Sequence, residues 1–272
     1  MKKIVSLLTI FGICVNGWST LTITDGLVAH YTFSGNLNDS SQSTNNLTVT
    51  STGTSLGADR FGNSNNALRL GSTVDFAQSD KNISISGNGS HSVSVWIKSD
   101  YATNRWNTGT ILKFGDESQI AGVNALKIEL TASGRLTMWG QYADWNAQNL
   151  SDTFKSWTQI VYTYNGDLFS SAFYINGNGV PSSVSGLYQA TTFNIVNTPL
   201  VIGKFGLGDG GYEDYGSGLP NGLVDELRVY NRALSSSEIQ QIYTLESVPE
   251  PSALSLLAIG LGGLAMMRRR RP

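Results

Sequence analysis

Asp225 sits in the run Leu223-Val224-Asp225-Glu226-Leu227-Arg228-Val229, where strict alternation places it on one face with Leu223, Leu227 and Val229. A carboxylate in register with aliphatic side chains is partly buried, and an unpaired buried charge costs several kcal/mol. It needs a bound cation, an arginine or a set of backbone N–H donors. Trp139, Tyr142 and Trp145, with Trp106 in an earlier loop, form a second group. Indole and phenol faces stack on the C–H faces of sugar rings, and Asp144, Asn146 and Gln148 beside them supply hydrogen bonds to hydroxyls, as in a polysaccharide groove. Plain packing is the competing reading, above all for Trp139, which ends an alternating strand. Tyr142 and Trp145 fall in the polar connection 141–151, where a core role is less natural; Trp96 and Trp157, inside strands, read as core. Residues 203–222 set Asp209, Glu213 and Asp214 among glycines and read as a rim loop able to take a second cation or a ligand, although without the ligand spacing of an EF-hand.

Other chemistries are poorly served. With His 2 and Cys 1 the chain cannot assemble a Cys/His zinc site. Neither His30 nor His91 accompanies a serine nucleophile elbow. Asp116-Glu117, Glu213-Asp214 and Asp225-Glu226 are adjacent pairs, which a strand would point to opposite faces. The formal net charge of -2 conceals an asymmetry: of 18 basic residues, Lys2, Lys3 and Arg268 to Arg271 lie at the ends, so the body is distinctly acidic. That excludes a phosphate backbone, hence nucleic acid, as partner and suits a bound cation.

The elements that must position these residues are strands. Ala125–Leu130 puts Leu126, Ile128 and Leu130 on one face and Lys127 and Glu129 on the other, and His91–Lys98, Arg135–Trp139, Thr158–Tyr164, 172–176 and 223–230 alternate similarly. Turn signals at 132–134, 165–167 and 176–179 separate them. Many short strands without helical crossovers predict an all-β, two-sheet antiparallel jelly-roll sandwich. One short helix is expected near the C-terminus: Ser235 can cap it, Glu238 completes a capping box, and Ile239, Ile242 and Tyr243 form its apolar stripe.

Both ends read as addresses. A basic start followed by apolar residues 4–15 is expected to be a signal peptide over residues 1–19, cut after Gly17 or Ser19; the sole cysteine, Cys14, lies inside it, so disulfides play no part. At the other end Pro249-Glu250-Pro251 leads into apolar residues 253–267 and then Arg268 to Arg271, a separate hydrophobic helix shorter than a comfortable span, with arginines that would stay cytoplasmic. Those parts in that order resemble the PEP-CTERM sorting signal over 248–271. The resemblance implies transient membrane anchoring, cutting near the Pro-Glu-Pro by an exosortase-type enzyme, and delivery to the cell surface or extracellular matrix.

The body, 25–246, resembles the laminin-G-like (concanavalin A-like) jelly-roll domain. The resemblance rests on Gly26-Leu27-Val28-Ala29-His30-Tyr31 through Asp39, on Ala67-Leu68-Arg69-Leu70-Gly71, Phe173-Tyr174-Ile175-Asn176-Gly177 and Pro199-Leu200-Val201-Ile202-Gly203, and on the closing Asn221 to Ser235. It implies a secreted, non-catalytic module binding polysaccharide or a cell-surface protein, with a glycan-cleaving enzyme or a ligand-free matrix protein as alternatives. Retaining β-glucanases of this fold carry Glu-x-Asp-x-x-Glu on one strand, and no such run occurs here. Glu226 stands where the family has a second Asp. The resemblance also implies a structural Ca²⁺ held by Asp39 and Asp225. The alternative is that Asp39 makes an Asx-turn while Asp225 pairs with Arg69 or Arg228.

Overall fold

The structure is a computed structural model and describes residues 23–249, except positions 50, 73, 100–107, 117–123, 131–134, 140–143, 150–152, 186–190, 205–215 and 220. The expected leader and the hydrophobic helix at 253–267 lie outside the described residues, as do Trp106, Tyr142 and the acidic residues of the 203–222 loop. No helix among the described residues is long and apolar enough to cross a membrane.

In chain order the strands begin with β1 (Leu27–Tyr31), β2 (Leu47–Val49), β3 (Thr54–Gly57), β4 (Ala67–Leu70), β5 (Ala77–Asn82) and β6 (His91–Lys98). They continue with β7 (Thr108–Gly115), β8 (Ala125–Leu130), β9 (Arg135–Trp139), β10 (Asp144–Asn149), β11 (Thr158–Tyr164) and β12 (Ala172–Ile175). Last come β13 (Asn178–Val180), β14 (Ser182–Ser185), β15 (Pro199–Ile202), β16 (Gly216–Gly218), β17 (Gly222–Tyr230) and the helix α1 (Ser236–Glu246). One sheet has the order β13-β12-β11-β6-β17-β4-β3, with β1 also on β17; the other runs β14-β10-β9-β8-β7-β15-β5-β2. Pairing is antiparallel apart from β16, which lies parallel to β7.

The inward rows are aliphatic and aromatic because the strands alternate. Val93, Val95 and Ile97 of β6, Ile160, Tyr162 and Tyr164 of β11 and Val224, Leu227 and Val229 of β17 meet Leu112, Phe114, Leu126, Ile128, Leu130, Leu136 and Met138 of the facing sheet. At about 25 cal/mol per Å² of apolar surface, this interface is the dominant stabilising term. The two-sheet sandwich and the helix are as the sequence predicts, including the capping box in which Ser235 N–H donates to Glu238 (2.8 Å).

The outer faces of the two sheets differ. That of β6, β11 and β17 is roofed by α1, whose Ile239 and Ile242 pack with Leu234 on Val161 and Tyr230. Trp96 is buried here, stacked on Tyr243 at 5.8 Å, so it packs beneath the helix rather than between the sheets.

Candidate functional site

On the outer face of the second sheet a polar ladder crosses adjacent strands. Thr110 of β7 is opposite Glu129 of β8, Glu129 is opposite Thr137 of β9, and Thr137 is opposite Asn146 of β10. Antiparallel partners project to the same side, so all of these share one face. The Thr137 hydroxyl donates to Asn146 Oδ1 at 2.9 Å, while the Thr110 hydroxyl has no hydrogen-bond partner among the described residues. A second row carries Lys113 opposite Lys127, and Lys127 opposite the position of Trp139. Lys127 Nζ lies 3.0 Å from Glu129 Oε2.

Lysines on a sheet face open to water extend into solvent, yet Lys113 and Lys127 are only 6% and 4% exposed. Glu129, Thr110, Thr137 and Asn146 are buried as well. The face is thus a buried polar layer of hydroxyls, a carboxamide and an ion pair. Its one described acid, Glu129, is matched by Lys127.

The sequence-derived aromatic group meets this floor in part. Trp139 lies in β9 at the register position beside Lys127. Asp144 and Trp145 are in a strand, β10, rather than in a polar connection, and Trp145 is opposite Met138 and Val184. The stretch Asp-Trp-Asn-Ala-Gln-Asn reads as a loop because its alternate positions are polar; of these, Asn146 stands opposite Thr137 and is buried. Lys113 and Thr137 were not singled out by sequence, whereas Asn146 was, as a hydrogen-bonding partner for hydroxyls. The alternation of Lys127 and Glu129 was visible, but nothing in it distinguishes a recessed face from an open one.

The two carboxylates expected to share Ca²⁺ do not fit it. Asp39 Oδ1 accepts from the His30 and Ser41 amides (2.9 and 2.8 Å), and Oδ2 accepts from the Ser41 hydroxyl and the Asn45 amide (2.8 and 2.9 Å). Each oxygen therefore faces hydrogens, as in an elaborated Asx-turn. Asp225 has other partners: Arg60 Nη1 at 2.5 Å and the Glu226 amide at 2.9 Å. The cation beside Asp225 is a guanidinium, and it comes from Arg60 rather than Arg69 or Arg228. Asp59 fixes that arginine's turn by accepting from the Phe61 and Asn63 amides, both at 2.8 Å.

The face assignment of Asp225 is corrected too. A β-bulge between Asp225 and Arg228, with Glu226 at φ 47°, adds one residue to β17. Val224, Leu227 and Val229 face the core, whereas Asp225 pairs with Trp96 and Arg228 with Ser94 under α1. Strict alternation cannot anticipate that slip. Around Asp225 gather His30, bonded to Glu226 at 2.7 Å, and Arg228, which reaches Glu226 (3.2 Å) and Glu246 (2.6 Å). Burial, supported by Glu226 and opposed by Arg60, pushes Asp225 up to about 7. Burial likewise raises Glu246. For Glu226 burial is outweighed, and the His30 bond with the arginines holds it below the usual range.

A sandwich of two antiparallel sheets has a counterpart among known families. A profile described as concanavalin A-like lectin/glucanases superfamily matches residues 71–240. The chain belongs to that superfamily. Residues 247–271 match the PEP-CTERM protein-sorting motif, a signal for export with C-terminal sorting or anchoring and for exosortase processing. No curated protein matches the chain.

Solved structures share the concanavalin A-like fold. Domain 4 of AbnA, a GH43 extracellular arabinanase from Geobacillus stearothermophilus, in complex with arabinotriose, is 22% identical, with TM-score 0.58 over 80% of this chain and 98% of that one. The binding domain of Paraclostridial Mosquitocidal Protein 1 is 21% identical, with TM-score 0.57 over 81% of this chain and 52% of the other. The botulinum neurotoxin serotype D ligand binding domain, in complex with N-acetylneuraminic acid, is 18% identical, with TM-score 0.54 over 81% and 51%. This chain spans about half the length of the two toxin domains. At these identities the likeness concerns the fold, and these neighbours are carbohydrate-binding or receptor-binding domains.

Proposed function

We propose that the protein is an exported, non-catalytic binding module that takes a polysaccharide or glycan across the ladder face of β7–β10, at the cell surface or in the extracellular matrix. The observation that carries this reading is the unequal treatment of the two outer faces. One is sealed by α1, while the other carries Thr110, Lys113, Lys127, Glu129, Thr137 and Asn146 as a buried polar layer on which no α-helix packs among the described residues. Hydroxyls, a primary carboxamide and a neutralised ion pair match the hydrogen-bonding pattern of sugar hydroxyls. Trp139, two positions beyond Thr137 in β9, is the aromatic candidate for stacking, together with Trp106 and Tyr142, with Asp144 as a hydrogen-bonding candidate; Trp145, at the register position of Met138, falls on the core side of β10. The sorting motif supports delivery outside the cell.

A glycan-array screen of the purified protein tests the reading, followed by the variants Thr137→Val and Trp139→Ala on the best ligand. Retention should fall about tenfold or more in each, as expected for one lost hydrogen bond or stacking contact at a desolvated site, with a cooperative melting transition lowered by only the few degrees that one buried hydrogen bond is worth. Retention of no glycan, or retention indifferent to both changes, refutes it. Turnover of a bound glycan abolished by Glu129→Gln would replace it with an enzyme.

A further inference from the structure

Glu246 closes α1 and is 4% exposed, although Leu245 before it and Val248 after it are 52% and 58% exposed. Its carboxylate accepts from Arg228 Nε (2.6 Å), Trp96 Nε1 (2.7 Å) and Gln159 Nε2 (3.1 Å), and its backbone carbonyl accepts from Arg60 Nε (2.6 Å). These donors come from β17, β6, β11 and the turn after β3, so the end of the helix is tied to the middle of the sheet. An eleven-residue helix is marginal by itself, and chain ends ordinarily fray. Here the terminal residue is instead bolted down, and the sorting motif starts at the next one, 247.

Proteolysis of a folded protein requires the cut segment to leave its secondary structure locally. Opening α1 from its C-terminal end means extracting Glu246 from all of those donors and leaving Arg228, Trp96 and Gln159 underbonded in a buried site. We propose that this clamp on Glu246 sets the upstream limit of the segment that processing reaches. The folded domain is then cut only C-terminal to Glu246 and keeps α1 as its roof. The cut is a hydrolysis: the C–N bond breaks, the acyl carbon gains the hydroxyl of a water, and the departing amine gains its proton.

Two readouts test this on the full chain. In detergent micelles with proteinase K, mass spectrometry of the wild type should place the first C-terminal cuts after Glu246. In Glu246→Ala, cuts inside residues 236–246 should accelerate about tenfold or more, the factor for one lost charged hydrogen bond. Trp96→Phe removes one donor while keeping a ring against Tyr243, and should give a smaller acceleration. It also serves if Glu246→Ala fails to fold. In an exporting host that carries the processing enzyme, the mature wild-type C-terminus should lie at or after Ser247. A mature terminus inside α1, or a folded Trp96→Phe protein cut as slowly within α1 as the wild type, overturns the proposal.

Discussion

Asp39 separates a hydrogen-bonded plug from a metal site by one atom. In Asp39→Asn one carboxylate oxygen becomes an NH2. Since each oxygen of Asp39 accepts from two donors, either orientation of the amide turns its hydrogens toward two others. Two charge-assisted bonds are lost at about 1.5 kcal/mol each, about 3 kcal/mol together, before any repulsion between facing donors. For a domain of roughly 200 residues each kcal/mol moves Tm by about 2–4 °C, so the variant should melt about 6–12 °C below the wild type. Differential scanning calorimetry in the presence of Ca²⁺ and again in EDTA decides the cause. Hydrogen bonds to the amides of His30, Ser41 and Asn45 are indifferent to calcium, so the gap should be the same in both. A wild-type Tm that rises with calcium, and a gap that closes in EDTA, would refute the reasoning and restore a cation to this carboxylate.

Further outcomes follow from other sites. Asp225, raised to about 7, favours the fold below the ordinary aspartate value near 4 and loses that contribution as pH climbs to about 7, whereas buried His91, lowered to about 4, loses its contribution as pH falls from about 6.5 to 4. Each is worth about 3–4 kcal/mol by the size of its shift, so the two nearly cancel in the wild type. Urea unfolding between pH 4 and 7 should show stability rising with pH in Asp225→Asn and falling with pH in His91→Phe; parallel profiles would contradict both. Gly203→Ala, at φ 93° with a new Cβ 2.4 Å from Leu70 Cδ1 and 3.0 Å from the Asp75 carbonyl, should cost about 2–4 kcal/mol in the same assay. Gly62→Ala, also at positive φ but with nothing within 4 Å, should cost about 1–2 kcal/mol.

The sandwich was legible because its inner rows obey period two. His91–Lys98, Ala125–Leu130, Arg135–Trp139 and Thr158–Tyr164 are strands with the bounds that alternation implies. The α1 capping box was legible because it is local, needing only Ser235 and Glu238 at the right spacing. What escaped depends on contacts distant in sequence. Arg60 reaches Asp225 across 165 positions, and nothing near residue 60 announces it. The β10 strand was hidden because both Asn146 and Ala147 are buried in it, so the usual contrast between an apolar inside and a polar outside is missing. The bulge at Asp225 and Glu226 inverts a face assignment with no glycine to mark it, since a glutamate holds the left-handed conformation, bonded to His30 and Arg228.

That bulge also bears on why the two outer faces came to differ. Counted by strict alternation back from Val229 and Leu227, Asp225 would point between the sheets, where burial without Arg60 is prohibitive. With the bulge, Asp225 and Arg228 both turn outward beneath α1 and meet Arg60, Glu226, His30 and Glu246. A buried ionic cluster contributes little net stability, because desolvation offsets attraction, but removing any one member is costly. Its effect is therefore geometric: the chain end has one docked position, and one face of the sandwich is permanently occupied. Under the proposed function, contacts to an outside molecule fall to the opposite sheet, on whose ladder of hydroxyl, amide and paired charge no α-helix packs among the described residues. Loosening the cluster by Arg60→Met should free α1 to exchange its amides faster while leaving any ligand affinity of the ladder face intact, since the aliphatic core separates the two faces.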